Sequence, residues 1–151
     1  MRDYTRKAKI KDRNEWVIGY HVYVDYLDKH YILVSEKTHD GFSGMLAMKQ
    51  YEVDGDTICN PTGFTDKNGN KIWDNDIIQY IDGELSVNGV VRFGRHEQIV
   101  MLELGFYVEW VSDEAISFKT DFCYWVEKRD IEVIGNIFDN ACIDEILGDK
   151  E

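Results

Sequence analysis

What this chain lacks does much of the sorting. It has one proline, three cysteines and no long apolar run. No stretch approaches the roughly 18 apolar residues that a membrane-spanning helix requires. The opening Met1-Arg2-Asp3-Tyr4-Thr5-Arg6-Lys7 puts charge where a secretory signal would have its apolar segment. The expectation is a cytosolic protein with no membrane partner. Cys59, Cys123 and Cys142 are odd in number, widely separated and without a Cys-x-x-Cys pair, so neither a disulfide framework nor a zinc ribbon fits them. Internal repeats, low-complexity segments and linker-like stretches are also missing, and 151 residues make one ordinary domain able to bury about 70% of its extended-chain surface. The chain therefore reads as a single domain, 1–151, within which residues 1–56 are free to form an N-terminal lobe beside a core barrel over 57–151.

Basic residues are scarce as well. Seventeen Lys and Arg face 29 Asp and Glu, a formal net charge of −12. The shortage is uneven: Arg2, Arg6, Lys7, Lys9, Lys11 and Arg13 against Asp3 and Asp12 give the first thirteen residues +4, which leaves −16 for the rest. A body so acidic repels a phosphate backbone, and nucleic-acid binding by it is not expected. The basic N-terminal arm is the exception, and it has a plainer explanation as an edge strand whose lysines discourage sheet-to-sheet association.

Catalytic and ligand-binding signatures are likewise absent. There is no Gly-x-Ser-x-Gly elbow, Walker loop or paired Cys-His pattern, and His21, His30, His39 and His96 lack the spacing of a metal site. Asp66, Asn68, Asn70, Asp74 and Asp76 alternate as oxygen ligands do in a calcium loop. The sixth and twelfth positions of that loop, however, are Lys71 and Ile77 instead of glycine and an acid. Turn residues bonding their own backbone account for the stretch better. No catalytic residue, cofactor or metal is expected, and the chain is not read as an enzyme.

What the chain does have is 13% aromatic and 44% hydrophobic residues in short alternating runs punctuated by turns. Trp16, Ile18, Tyr20, Val22 and Val24 alternate with Val17, Gly19, His21 and Tyr23, predicting a strand with the first set buried, and Tyr31 to Val34 is its hairpin partner. Met45 to Tyr51 fits either a short helix or a strand. Further strands are expected at Ile77 to Ile81, at Val90 to Phe93 after an Asn88-Gly89 turn, and at Ile99 to Leu104 after a bend over Gly94 to Gln98. Phe106 to Val111, Ile116 to Lys119, Cys123 to Lys128 and Ile131 to Phe138 complete the set. Asn140 to Leu147 alone reads as helical, with Asn140 as cap. Antiparallel strands at this spacing predict a mainly β fold, an SH3-like partly open barrel or packed sheets with a short C-terminal helix.

The chain is organised around Thr57 to Tyr80. Asn68-Gly69 can both take positive φ, predicting a tight hairpin, and Asp74-Asn75-Asp76 makes a second turn into Ile77-Ile78. Thr62-Gly63-Phe64-Thr65-Asp66-Lys67-Asn68-Gly69-Asn70-Lys71-Ile72-Trp73, followed by Asp76-Ile77-Ile78, resembles the central motif of the YopX-like proteins, small proteins encoded by bacteriophages and prophages. Trp16-Val17-Ile18-Gly19-Tyr20 resembles that family's early strand, and Ile131 to Asn140, with Gly135 and Asn136, its closing one. Asn75 replaces the usual glycine, and Ile58-Cys59-Asn60 a common Val-Gly-Gln. Asn is the best non-glycine residue at a left-handed position, so the turn survives. The resemblance implies a mainly β protein and marks Trp16, Gly19, Tyr20, Thr62, Gly63, Asp66, Asn68, Gly69, Ile72, Asp76, Ile77, Gly135 and Asn136 as structural positions. It brings no biochemical activity with it.

The functional expectation is a phage- or prophage-encoded accessory protein in the bacterial host cytoplasm, a non-enzymatic interaction module that binds itself and a host or phage protein. Phe106, Tyr107, Trp110, Phe122, Tyr124 and Trp125 exceed what one face of a small barrel needs, and a surplus of two-faced strands is what self-association uses. The alternative is a nucleic-acid-associated protein acting through the N-terminal arm.

Overall fold

In the computed structural model, residues 2–36, 47–97, 102–110 and 122–139 are described, and the chain divides into two compact units, Met1–Pro61 and Thr62–Glu151. Open antiparallel sheets make up both. No closed barrel forms among the described residues, so of the two expected arrangements the sheets are the one observed.

The first unit is a four-stranded sheet in the order β1 (Arg6–Lys9), β2 (Trp16–Val24), β3 (Lys29–Ser35) and β4 (Met48–Val53). Its reversals lie where the sequence places small polar residues: Asp12 and Asp28 both adopt the left-handed conformation, at φ 62° and 51°. Met48 to Tyr51 settles as strand. The segment after β4 folds back onto β1 through a short 3-10 turn, Gly55–Thr57. Lys7 and Cys59 exchange two backbone hydrogen bonds, Asp54 donates to the Lys9 carbonyl, and Lys11 donates to that of Glu52. The Lys9 N–H is taken by the Thr57 hydroxyl at 2.9 Å. The N-terminal arm is thus bonded on both sides, a built-in strand in place of the solvated edge expected.

The facing of β2 is the reverse of the expectation. Ala8, Ile32 and Val53 form the core of this unit, with Val17, Val34, Tyr51 and Ile58 packed on them, so β2 turns Val17, Gly19 and His21 inward. Ile18, Tyr20 and Val22 stay 48%, 51% and 40% exposed. Gly19 explains the choice. A Cβ there would stand on the Leu33 carbonyl oxygen and lie 2.9 Å from Ile32 Cγ2, so β2 and β3 approach closely only with glycine inside.

In the second unit, β5 (Pro61–Thr65) and β6 (Lys71–Trp73) form a hairpin. A second sheet follows in the order β10 (Glu132–Asn136), β7 (Asp76–Asp82), β8 (Leu85–Glu97) and β9 (Leu102–Trp110). The lone proline opens β5, where a missing N–H costs least. In the β5–β6 turn Gly69 alone has positive φ, 83°. The Asp66 N–H bonds the Asn70 carbonyl and the Gly69 N–H bonds that of Asp66, a turn followed by a glycine bulge instead of a two-residue turn with both central residues left-handed. Asn75 is left-handed at φ 67° as the sequence indicates.

Three local expectations give way. Asn88-Gly89 lies inside β8, because Gly89 leaves room for Val108 and Trp110 across the ladder, where a Cβ would meet them at 2.6 and 2.7 Å. The bend over Gly94 to Gln98 is straight strand through Glu97, and β9 runs without a break through Gly105. Cys123 to Lys128 is helix, α1 (Phe122–Lys128), since Phe122 and Trp125 are buried three residues apart with Val126 packed beside them, a helical period that a short apolar run conceals. The strand at Ile116 to Lys119, the loop over 39–44 and the helix from Asn140 to Leu147 lie outside the described residues. Helix α1 packs into a core of Ile72, Ile78, Tyr80, Val87, Val91, Val108 and Ile131, where the Tyr80, Trp110 and Trp125 rings lie 4.7–5.6 Å apart between centroids.

A Cβ built on Gly69 meets nothing within 4 Å, so any cost of replacing it is backbone strain alone. Gly69→Val is expected to lose about 1–2 kcal/mol and Gly69→Asn clearly less. Thermal melting of both variants checks this, and equal midpoints for the two would contradict it.

Candidate functional site

The residues of the central and closing motifs are brought together in the second unit, and they are occupied in holding it. Asp66, 6% exposed, accepts from the Asn68 and Asn70 backbone N–H groups at 2.9 and 2.8 Å through Oδ1. Through Oδ2 it accepts from the Asn70 side chain and from the Val133 N–H, each at 3.2 Å. The carboxylate so ties the hairpin turn to β10. Burial acts to raise its pKa, but the donors from Asn70, Val133 and Asn68 outweigh it and the net shift is downward. Its oxygens serve backbone donors, which is why the calcium-like spacing of the sequence has a turn explanation.

The neighbouring turn works the same way. Asn75 donates its N–H to the Val91 carbonyl at 2.7 Å, accepts from the Ile137 N–H at 3.1 Å and offers Oδ1 to the Arg92 guanidinium at 3.0 Å. Asp76, 2% exposed, accepts from the Trp73 N–H, and Asn136, its partner in the ladder, accepts from the N–H groups of Phe138 and Asp139. The Thr62 hydroxyl donates to the Ile72 carbonyl, Ile72 and Ile77 are fully buried, and Gly63 takes φ 85°. Gly135 sits opposite Ile77 just past a register shift in β10. Of the early motif, Gly19 is the close approach already described, while Trp16 and Tyr20 share the outward face of β2.

A pair of histidines that the sequence did not single out meets in the first unit. His21 Nε2 and His30 Nδ1 are 2.8 Å apart, with ring planes 12° from parallel and centroids 5.1 Å apart. Separation and planarity together describe two rings edge to edge in one plane, sharing one proton in an N–H···N bond. Tyr23 lies against His30 and donates its hydroxyl to Asp28, and Gly55 leaves the space that the His30 ring fills. Burial, then the proximity of His30 and Arg6, lowers the His21 pKa.

Two clefts flank the turn at Lys11 to Asn14, of about 640 and 870 Å³. The first is lined by Lys9, Lys11, Arg13 and Lys29 and by as many acids, Asp12, Asp28, Glu52 and Asp54. Lys11 and Lys29 both bind the Glu52 carboxylate, at 3.1 and 3.0 Å, and Lys9 donates to Asn14. Balanced charge and mutual pairing leave little there to draw in an anion. No group of three or more His, Cys, Asp or Glu is placed to hold a metal among the described residues, and no helix among them is long and apolar enough to cross a membrane.

Open apolar surface is concentrated in two places. The first is the outward face of β2 and β3. The second is the distal part of β8 and β9. Strand β7 pairs with β8 only over Leu85 to Val90, whereas β9 pairs with it as far as Glu97, so beyond Val91 the two continue as a two-stranded ribbon. On one face of that ribbon Phe93, Leu102 and Leu104 are 54%, 66% and 71% exposed, with Phe106 against Phe93. On the other face His96 is buried and stacked on Tyr107.

The two titrations predict separate acid limbs. The lowered His21 pKa contributes stability that is complete above about pH 6.5 and is lost as pH falls through the folded value. The lowered Asp66 pKa contributes stability complete above about pH 4 and lost below it. Denaturant unfolding followed against pH should show both, with His21→Gln flattening only the first and Asp66→Asn only the second. Asp66→Ala, which strands several donors, should cost about 3 kcal/mol or more at neutral pH.

Comparison with known proteins adds one relation. No curated protein and no solved structure matches the chain. The family described as YopX protein matches it over residues 6–143, from the first residue of β1 to beyond the close of β10. The span takes in both units and all the turns described above, and the chain belongs to the YopX family.

Proposed function

We propose that this protein is a non-enzymatic interaction module, of phage or prophage origin and acting in the bacterial cytoplasm, that self-associates through the β8–β9 ribbon. The observation that carries this reading is the ribbon itself. A two-stranded β-ribbon is at best marginally stable in water without further packing, yet this one presents Phe93, Leu102 and Leu104 to solvent. Burying such a side chain completely from full exposure contributes about 1.5–3 kcal/mol, and more than half of that is still to be gained at exposures of 54%, 66% and 71%. A second copy presenting the same face supplies that cover twice over, in the closed symmetric manner common to homo-oligomers. The β9 edge, which has no strand beyond it among the described residues, adds backbone groups able to pair with a copy.

The alternative, nucleic-acid association through the basic N-terminal arm, would use side chains carried on a strand that is hydrogen-bonded on both sides. Removing residues 1–13 would take β1 out of the first sheet, so charge substitution is the cleaner way to probe its lysines.

Light scattering across a concentration series tests self-association. The expected mass exceeds 17.7 kDa and rises with concentration, and Leu104→Glu returns it to 17.7 kDa without lowering the melting midpoint. A wild-type mass fixed at the monomer value throughout would overturn the reading.

A further inference from the structure

We propose that Asn68 is a covalent modification site: the Gly69 backbone nitrogen attacks its side-chain amide, water completes the reaction, and the aspartyl or isoaspartyl product loosens the hold of Asp66 on the closing strand. An asparagine followed by glycine is the pair most open to this attack, because no Cβ on the following residue obstructs the approach. The chain holds two such pairs, Asn68-Gly69 and Asn88-Gly89. The fold treats them oppositely.

Asn68 and Gly69 lie exposed in the β5–β6 turn. The Asn68 side chain has no hydrogen-bond partner among the described residues, and a Cβ built on Gly69 meets nothing within 4 Å. The Gly69 N–H holds one bond, 3.0 Å to the Asp66 carbonyl, and freeing it leaves the nitrogen able to approach Asn68 Cγ. Asn88 and Gly89 stand inside β8, opposite Gln79 and Ile78 of β7, with Gly89 also opposite Trp110 of β9. Asn88 Oδ1 accepts from the Gln79 side chain at 2.9 Å, and the space beside Gly89 is filled by Val108 and Trp110. Ring closure there requires the strand to leave its neighbours, which costs more than releasing one turn bond.

The reaction needs neither oxidant nor reductant. Hydroxide removes the Gly69 amide proton, a bond forms from that nitrogen to Asn68 Cγ, and the Cγ–Nδ2 bond breaks as Nδ2 takes up a proton and leaves as ammonia. Water then opens the cyclic imide. Opening at Cγ gives aspartate, and opening at the main-chain carbonyl gives isoaspartate, in which the chain runs through the side-chain methylene. Either product sets a new carboxylate two positions from Asp66, whose own charge it opposes. The isoaspartyl form also lengthens the main chain between the Asn68 and Asn70 N–H groups, both of which donate to Asp66 Oδ1, at 2.9 and 2.8 Å. Because the same carboxylate accepts from Val133, a change at an exposed turn reaches β10. The second unit thus carries a clock on its own stability, set by water and pH.

The test ages the full-length protein at mildly alkaline pH, folded and separately in denaturant. Peptide mapping by mass spectrometry follows each asparagine, and an isoaspartate-specific methyltransferase scores the isoaspartyl product. In the folded protein Asn68 should convert at least about tenfold faster than Asn88, and in denaturant the two should convert at similar rates. Conversion should slow at mildly acidic pH, where hydroxide is scarce. Aged wild type should lose about 3 °C or more from its melting midpoint. Asn68→Gln, which closes a less favourable ring, should keep its midpoint on ageing. Asn88 converting as fast as Asn68 in the folded protein, or Asn68 converting only in denaturant, would overturn the site. Conversion of Asn68 with an unchanged midpoint would overturn its effect on β10.

Discussion

The second unit depends on one arrangement, a buried carboxylate surrounded by backbone donors. Asp66 receives hydrogen bonds from its own turn and from Val133, more than sixty positions further along the chain. A single side chain therefore fixes both the shape of the β5–β6 turn and the position of the closing strand. Asn75 does the same for the next turn, linking it to Val91 and Ile137. Hydrogen bonds to a charged acceptor are about twice as strong as neutral ones, and stranding a buried donor costs more than forming a bond gains. The hydrophobic core of Ile72, Ile78, Val91 and Val108 supplies the driving force without directional preference. The two turns determine which strands meet around it.

This division explains what could be read from the sequence. Left-handed glycine and asparagine have few substitutes, so Gly69 and Asn75 announce their turns. The antiparallel β class follows from their spacing. The inward face of β2 does not, because Trp16, Ile18, Tyr20 and Val22 are more apolar than Val17, Gly19 and His21, and alternation alone assigns them to the core. What decides is the close approach at Gly19, a relation to β3 that no local pattern contains. Asn88-Gly89 misleads for the complementary reason: the pair serves turns well, but this glycine is needed to admit Trp110 from the neighbouring strand. Helix α1 is short, and the apolar run Tyr124, Trp125 and Val126 beside Phe122 conceals the helical spacing of its two buried residues.

The candidate surfaces were harder to see than the fold. The excess of aromatic residues was visible, but most of the rings singled out, Trp110, Phe122 and Trp125 among them, pack in the core. The exposed ribbon arises from a difference in length between β7 and β8, and the extent of pairing cannot be read from either strand alone. The His21–His30 contact likewise depends on a diagonal relation between β2 and β3. Among the residues that carry the family resemblance, Ile18, Tyr20 and Ile134 are the large apolar side chains left open to solvent. The others hold the architecture, so the signature that identifies the family is chiefly a signature of its folding.

The double pairing of β1 has a kinetic consequence. Its contacts with β2 are local, a hairpin that can close as soon as Gly19 is available. Its contacts on the other side join Lys7 to Cys59 and Ile10 to Val53, which requires the intervening strands to be in place first. Closing that long loop carries the larger entropy cost, and topologies rich in such distant contacts fold slowly. On a ribosome β1 therefore emerges before the other strands of this unit but is completed only after them. Until the segment around Cys59 follows, the backbone groups of β1 on that side face solvent and have no partner within the nascent unit.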